Sequence, residues 1–414
     1  MLDIRLIRTK TEDVKKGVAA KGYDAAIVDE VIRLDAKRQK LDNEAQELRR
    51  ERNQLAEEKN PSGRGREVKA QLKKVDAELN KVSAELTEAL NNVPNLPLTI
   101  VPVGKNDIEN KVMRTWGEPA VFDFVPKDHL ELGQALNILD FEAGAKVAGS
   151  KFYYLYNEGA MLEFALMLYV FKLMQDEGFT PVITPDVARS RYYLGTGYLP
   201  KGDEAQTYTI EGQDLGLIAT AEVTLAGKYA DTVINEVDLP IKYIGYSHAF
   251  RQEQGAYGRY SHGLYRVHQF AKAELFVYCL PEDAEKMHGQ LLALEERIYQ
   301  GLGIPYRVLE MCTGDLGAMA ARKFDIEAWM PGRNDYGEVT SASNCTDYQA
   351  RNLNIRVKRQ NGSIEYPHML NGTAIAMSRT PIAILENFQN ADGSVTIPEV
   401  LVPYMGNDTI KMRS

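Results

Sequence analysis

Ala249-Phe250-Arg251-Gln252-Glu253, followed by Tyr265-Arg266-Val267-His268-Gln269-Phe270, is the stretch that decides the fold. It reads as two strands joined by a long glycine-bearing loop. The pairing would gather two arginines, a carboxylate and an aromatic ring, a set suited to a bent nucleoside triphosphate. No GxxxxGK[ST] run occurs, and no GxGxxG follows a strand, so the common phosphate loops are excluded.

Outward from this pair, short β-branched and aromatic runs are punctuated by glycine and proline. Strands are predicted at 181–184, 241–244, 264–270, 273–278, 306–309 and 324–329, and helices at 160–175 and 281–302. Adjacent strands without regular intervening helices predict an antiparallel sheet flanked by helices, an α+β fold. The 160–175 helix carries Met161, Leu162, Phe164, Ala165, Leu166, Leu168, Tyr169 and Leu173, too much apolar surface to face water. It must pack on the sheet, on a second subunit, or both.

Toward the N-terminus the texture changes to a seven-residue beat. Ile27, Leu34, Leu41, Leu48 and Leu55 share one position, while Val31, Arg38, Ala45 and Arg52 fall on the other. Asn60-Pro61-Ser62-Gly63-Arg64-Gly65 breaks the helix, and Val68, Leu72, Val75, Leu79, Val82, Leu86 and Ala89 begin a second. A short turn makes the two antiparallel, each roughly 35–50 Å long at about 1.5 Å per residue. Arg49, Arg50, Arg52, Lys59, Arg64, Arg66, Lys69, Lys73 and Lys74 make the outer end basic. Such an arm (about 27–90) serves either as a coiled coil for spacing or assembly, or as a reach toward RNA phosphates. Asn91 to Leu98, with two prolines, reads as the linker, giving an N-terminal domain at 1–100 and a main domain at 101–414.

Composition bounds the rest. The 414 residues carry a net charge of −9, with 44% hydrophobic and 26% charged residues, which describes a soluble globular chain and excludes wholesale coating of nucleic acid. Three scattered cysteines offer neither a zinc spacing nor a disulfide framework. The N-terminus lacks a signal peptide's apolar core, and the run 165–171 is too short to span a bilayer. A cytoplasmic setting without a membrane partner is expected.

Taken in order, several fragments resemble seryl-tRNA synthetases, members of the class II aminoacyl-tRNA synthetases. They are the arm, Gly195 to Lys201, Thr220-Ala221-Glu222, Ala249 to Glu274, Thr313 to Gly317, Phe324 to Pro331, Ser343 to Arg351 and Leu370 to Met405. The resemblance implies a homodimer that joins L-serine to ATP as seryl-adenylate. It then moves the seryl group to the terminal adenosine of tRNA(Ser), with tRNA(Sec) a further possible acceptor. It implies that the arm reads the long variable arm of the tRNA. A paralogue that hands a small amino acid to a carrier protein is the alternative.

The resemblance also assigns roles. Arg251 would bridge the serine carboxylate and α-phosphate, a task for a forked guanidinium. Glu253 would accept from the adenine amino group, with Phe270 against the ring and Val267 beside it. Arg266 would hold the triphosphate, and Arg379 would stack on adenine and reach the γ-phosphate. Glu338 and Ser341 would hold Mg²⁺ between phosphates. Thr220, Glu222, Glu274, Asn371 and Thr373 would form the serine pocket. His268 is expected to support the site and not to react.

Departures from the family pattern are also present. Tyr260-Ser261-His262-Gly263 stands where an Asp-Thr-Arg-Gly run is usual, and Tyr336-Gly337-Glu338 where Tyr-Arg-Glu is usual. Ala374 and Ser378 replace common glycines, and Phe164 follows Glu163 where many relatives have arginine.

Overall fold

The computed structural model describes residues 1–57, 63–198, 207–253 and 263–413. It divides into two compact units, Met1–Leu96 and Pro97–Ser414. The expected helix break at 60–62, the Leu199-Pro200-Lys201 part of one motif and the Tyr260-Ser261-His262 departure lie outside the described residues.

In the first unit, helices α1 (Ala26–Glu57) and α2 (Arg64–Asn91) pair along their length. Lys37 bonds Glu78 and Arg64 bonds Glu51, so numbering rises on one helix as it falls on the other, and the pair is antiparallel. Val31, Leu34 and Ala45 of α1 are buried, as are Val68, Leu72, Val82 and Leu86 of α2. The polar interruption at seam position Arg38 is answered by buried Asp35, which Arg38 meets at 3.1 Å and Arg8 at 2.9 Å. Arg49 and Arg64 are spent on Asp76 and Glu51, whereas Arg50, Arg52, Arg66, Lys69, Lys73 and Lys74 are exposed.

The second unit is built on eight strands: β1 (Lys111–Trp116), β2 (Thr180–Ile183), β3 (Ile241–Phe250), β4 (Gln269–Cys279), β5 (Tyr306–Glu310), β6 (Arg322–Met330), β7 (Asp335–Asn344) and β8 (His368–Ala376). Their order across the sheet is β1-β5-β6-β7-β8-β4-β3-β2. Every neighbouring pair is antiparallel except β2 with β3. Helix α3 (Asn157–Asp176) buries Leu162, Leu166, Val170 and Met174 in the main core. Helix α4 (Ala284–Leu302) lies across β8, β7 and β4.

Period-two alternation in β4 sorts its side chains. Ala271, Ala273, Leu275 and Val277 enter the main core on the side of α4. Phe270, Lys272 and Glu274 turn to the opposite face, followed by Phe276 and Tyr278 in a second apolar cluster. One expectation fails here. Leu264 to His268 is not a strand: Gly263–Tyr265 form a 3-10 turn, and β4 starts at Gln269. Likewise β3 stops at Phe250, so Arg251 and Glu253 lie past its end, Glu253 with a φ of 48°. The strand pairing ends with Phe250 opposite Gln269, and one further bond, from the Arg251 N–H to the His268 carbonyl, follows it.

All three cysteines are buried and unbridged. Among the described residues no helix is long and apolar enough to cross a membrane.

Candidate active site

The front face of β4, β7 and β8 carries two connected groups of polar side chains. The first is a buried knot. The Thr220 hydroxyl donates to Glu274 Oε2 at 3.1 Å and accepts from Lys272 Nζ at 3.2 Å, while Lys272 also pairs directly with Glu274. Glu222, at the first turn of the short helix Glu222–Gly227, accepts from Gln349 Nε2 and Asn371 Nδ2, each at 2.7 Å, and from the Tyr198 hydroxyl at 2.9 Å. Thr373 sits opposite Glu274 in the β8–β4 ladder and lines the adjoining cavity. Burial and then the neighbouring Glu274 charge push the Glu222 carboxyl up to about 7, against the pull of its donors. Burial also raises Glu274, opposed by Lys272. Thr220, Glu222, Glu274, Asn371 and Thr373 therefore come together.

The second group lines the neighbouring cavity and is cationic. Arg251 lies 5.4 Å from the Phe270 ring centroid. Its carbonyl meets His268 Nδ1 at 2.8 Å, and its N–H donates to the His268 carbonyl. His268 thus fixes the backbone from which Arg251 departs. Arg266 meets Glu253 at 3.2 Å, and buried Val267 packs with Phe270. Arg379 donates to the Glu338 carbonyl at 2.9 Å and pairs with its carboxylate at 2.9 Å. Burial works against ionisation of Glu338, but Arg379 and Lys323 outweigh it and hold the carboxyl at about 2.

Two bulges shape this face. In β7, Thr340 pairs with Ile326 and Glu338 with Glu327, so Val339 is a surplus residue. In an unbroken strand, side chains three apart point to opposite faces. The bulge restores Glu338 and Ser341 to one face, opposite Glu327 and Asp325 of β6. A second bulge at Ala374 in β8 leaves Asn371 and Thr373 in front and sends Ala374 and Ile375 into the core. The replacement of a common glycine by Ala374 is thus a buried methyl in that core.

The donors here fit a hard cation. Glu338 and Ser341 are oxygen groups on one face, and Asp325 Oδ1 beside them is buried without a hydrogen-bond partner among the described residues. No cluster of three acidic, histidine or cysteine ligands occurs among the described residues. A carboxylate and a hydroxyl on one face leave the rest of the shell open, as a hard cation such as Mg²⁺ accepts.

Behind the sheet, Thr340 donates to Glu295 Oε2 of α4 at 2.7 Å. Glu295 is fully buried and its carboxyl is pushed well above the usual range by that burial. Gly372 leaves it room, since a Cβ there would lie 2.7 Å from Glu295 Oε1.

Sequence reasoning missed Tyr198, Gln349 and Lys272. Lys272 was signalled by its two-residue spacing between Phe270 and Glu274. Tyr198 and Gln349 come from quoted motifs, but nothing local pairs them with Glu222.

Comparison with known proteins places this geometry. Residues 207–388 match the tRNA synthetase class II core domain (G, H, P, S and T), and residues 1–97 match the seryl-tRNA synthetase N-terminal domain. The serine–tRNA ligase of Dictyoglomus thermophilum is 59% identical over 319 residues, 77% of this chain and 75% of that one. The structure is similar to that of seryl-tRNA synthetase from Pyrococcus horikoshii complexed with ATP, with a TM-score of 0.93, 39% identity and full coverage of both chains. It is also similar to the cytoplasmic serine–tRNA ligase from Naegleria fowleri in complex with AMP, with a TM-score of 0.88 and 33% identity over 100% and 99% of the two chains. The serine–tRNA ligase of Dictyoglomus turgidum is 52% identical over 422 residues, 99% of both chains, and on this likeness, end to end, the present chain belongs to the seryl-tRNA synthetase family.

Proposed function

We infer that the chain is a serine–tRNA ligase: it activates L-serine with ATP to seryl-adenylate and transfers serine to the 3′-terminal adenosine of tRNA(Ser). One observation carries this reading. A buried knot of donors and acceptors suited to a small polar amino acid adjoins a cleft lined by Arg251, Arg266, Lys272 and Arg379, on one sheet face.

In activation a serine carboxylate oxygen attacks the α-phosphorus and pyrophosphate departs. Arg251 bridges carboxylate and α-phosphate, Phe270 and Val267 form the adenine wall, and Glu253 accepts from its amino group. Arg266 and Arg379 grip the triphosphate, in exchange for the carboxylates that they now meet. These are positioning and charge effects, and no protein nucleophile is needed. Glu338 and Ser341 would hold Mg²⁺, which when bound would supply neutralising charge for the leaving group. Glu222 and Glu274 receive the ammonium and hydroxyl of serine through the Thr220, Asn371 and Thr373 network. Alanine would strand those groups unpaired, which supports rejection by about 10⁴-fold.

The exposed cations of the arm suit tRNA phosphates, and the match of residues 1–97 to the family's N-terminal domain supports tRNA as acceptor over a carrier protein. The same arm would admit tRNA(Sec). A homodimer is supported by Met161, Phe164 and Leu168, which line one exposed face of α3 at 45–60% exposure, with Ile183 82% exposed. Residence in the cytoplasm follows from the substrates.

The test is twofold. Serine-dependent ATP–pyrophosphate exchange is expected, as is acylation of serine tRNA with labelled serine. A chain lacking residues 30–90 should keep exchange and lose acylation. Equal acylation by both would overturn the role of the arm, and adenylate formation without transfer to any serine tRNA would favour a different acceptor.

A further inference from the structure

We propose that Arg333 is an additional ATP-binding cation, gripping the pyrophosphate end of the nucleotide from the place that a side chain at position 337 would otherwise fill. The proposal rests on the reading of the cleft as an ATP site.

Gly337 precedes Glu338 on β7 and stands where the resemblance sets an arginine. Its backbone is not in the left-handed region, so conformation does not demand glycine there. Space does. A Cβ at 337 would lie 2.9 Å from a terminal nitrogen of Arg333, 3.0 Å from Met330 Sδ and 3.0 Å from Tyr265 Cε2. The Arg333 guanidinium therefore already occupies the room beside Gly337.

Arg333 reaches that position from the tight turn between β6 and β7. Its N–H donates to the Met330 carbonyl at 3.0 Å, and the Asn334 N–H to the Pro331 carbonyl at 3.1 Å. The turn is pinned at its root, where the Gly332 N–H donates to Glu386 Oε2 at 2.9 Å. The other Glu386 oxygen meets the His129 N–H at 3.0 Å and Nδ1 at 2.9 Å. From this fixed base the guanidinium lies 4.4 Å from the Tyr265 ring centroid, and that of Arg379 lies 4.5 Å from the same ring. Tyr265 thus couples the two arginines.

The cavity beside it is mixed in charge: Arg266, Arg307, Lys323 and Arg333 line it together with six carboxylates, so an entering phosphate chain depends on each of these cations. This cavity, of about 750 Å³, shares Tyr265, Arg266 and Glu338 with the cleft beside Phe270. Phe270 and Val267 line the smaller cleft, where Lys272 and Thr373 border the buried knot. The larger cavity opens past Glu338, the candidate metal ligand, in the direction that the β- and γ-phosphates must take from it. Arg333 Nε and the terminal nitrogen beside Gly337 are buried, so the second terminal nitrogen is the one that meets a phosphate oxygen.

Three variants test the assignment: Arg333→Gln, Gly337→Arg, and the two together. Serine-dependent ATP–pyrophosphate exchange gives KM for ATP, pyrophosphate and serine, and calorimetric titration gives the affinity for AMP. Arg333→Gln is expected to raise KM for ATP and pyrophosphate about 10- to 100-fold, with serine KM and AMP affinity unchanged. Gly337→Arg alone should be impaired, because two guanidinium groups compete for one place. The double variant should return to within about threefold of the parent, a coupling of opposite sign to additivity. Arg333→Lys covers the case of a poorly folded glutamine variant, keeping a charge and part of the pyrophosphate affinity. Unchanged ATP and pyrophosphate constants in Arg333→Gln, or an equal loss of AMP affinity, would reduce Arg333 to a prop for Tyr265 and overturn the proposal. Failure of the double variant to recover would overturn the exchange of positions. Absence of serine-dependent exchange in the parent would instead defeat the reading of the cleft itself.

Discussion

Replacing Glu222 by glutamine should stabilise the protein above neutral pH while weakening its hold on serine. The carboxyl is raised from its ordinary 4.5 to about 7, burial being the main cause. Between those two values the unfolded chain has released its proton and the folded chain has not. Stability therefore falls as pH rises through this window, and the loss is constant above it. At about 1.4 kcal/mol per pH unit the window is worth about 3 kcal/mol. Glutamine is nearly the same shape. Its oxygen can accept from Gln349 and Asn371 where Oε1 does now, and its amide can donate to the Tyr198 hydroxyl, which accepts as readily as it donates. The variant should match the parent near pH 4.5 and exceed it by about 3 kcal/mol at pH 8. For a unit of roughly 300 residues that is about 5 °C in Tm. Melting curves of both proteins at equal concentration across pH 5–8.5 measure the difference, and other titrating groups cancel in it. Serine KM at pH 8 should rise about 10- to 100-fold from loss of a charged acceptor. Parallel Tm profiles, or a less stable variant at pH 8, would refute the buried, reluctantly ionised Glu222.

Arg251→Ala should lower the rate of adenylate formation by at least 10²-fold with little change in Tm, measured by pyrophosphate exchange, since its guanidinium meets Phe270 at the cleft and not the core. Phe164→Asp should shift the protein toward monomer in sedimentation, because it places a charge on the exposed apolar face of α3. Gly372→Ala should cost about 1–3 kcal/mol by forcing a methyl against Glu295, and Glu295→Ala in the same chain should recover part of that loss in thermal melting.

The parts of this protein that repeat were legible in its sequence. The heptads of α1 and α2 announced an antiparallel pair, and the apolar runs announced strand through most of β4, although they read as two pieces, 264–270 and 273–278, where one strand runs. What escaped was set by irregular backbone or distant pairing. Strand periodicity ran on through Arg251 and Tyr265, although the ladder ends at Phe250 and Gln269, because apolar pattern does not record where hydrogen bonding stops. Gln349 and Tyr198 reach Glu222 across separations of 127 and 24 residues, which no local spacing encodes. The same holds for Arg333 over Gly337: the missing side chain was visible, but its occupant was not.

The surplus residue at Val339 has a consequence for anyone remaking this enzyme. Deleting it would regularise the ladder and look like an improvement by every local criterion of sheet quality. It would also leave the acid and the hydroxyl on one face, now two positions apart as Glu327 and Asp325 are on the neighbouring strand. Facing in this strand is therefore set by the ladder and not by the residue count, and a one-codon deletion at the bulge should be more forgiving than one at a laddered position.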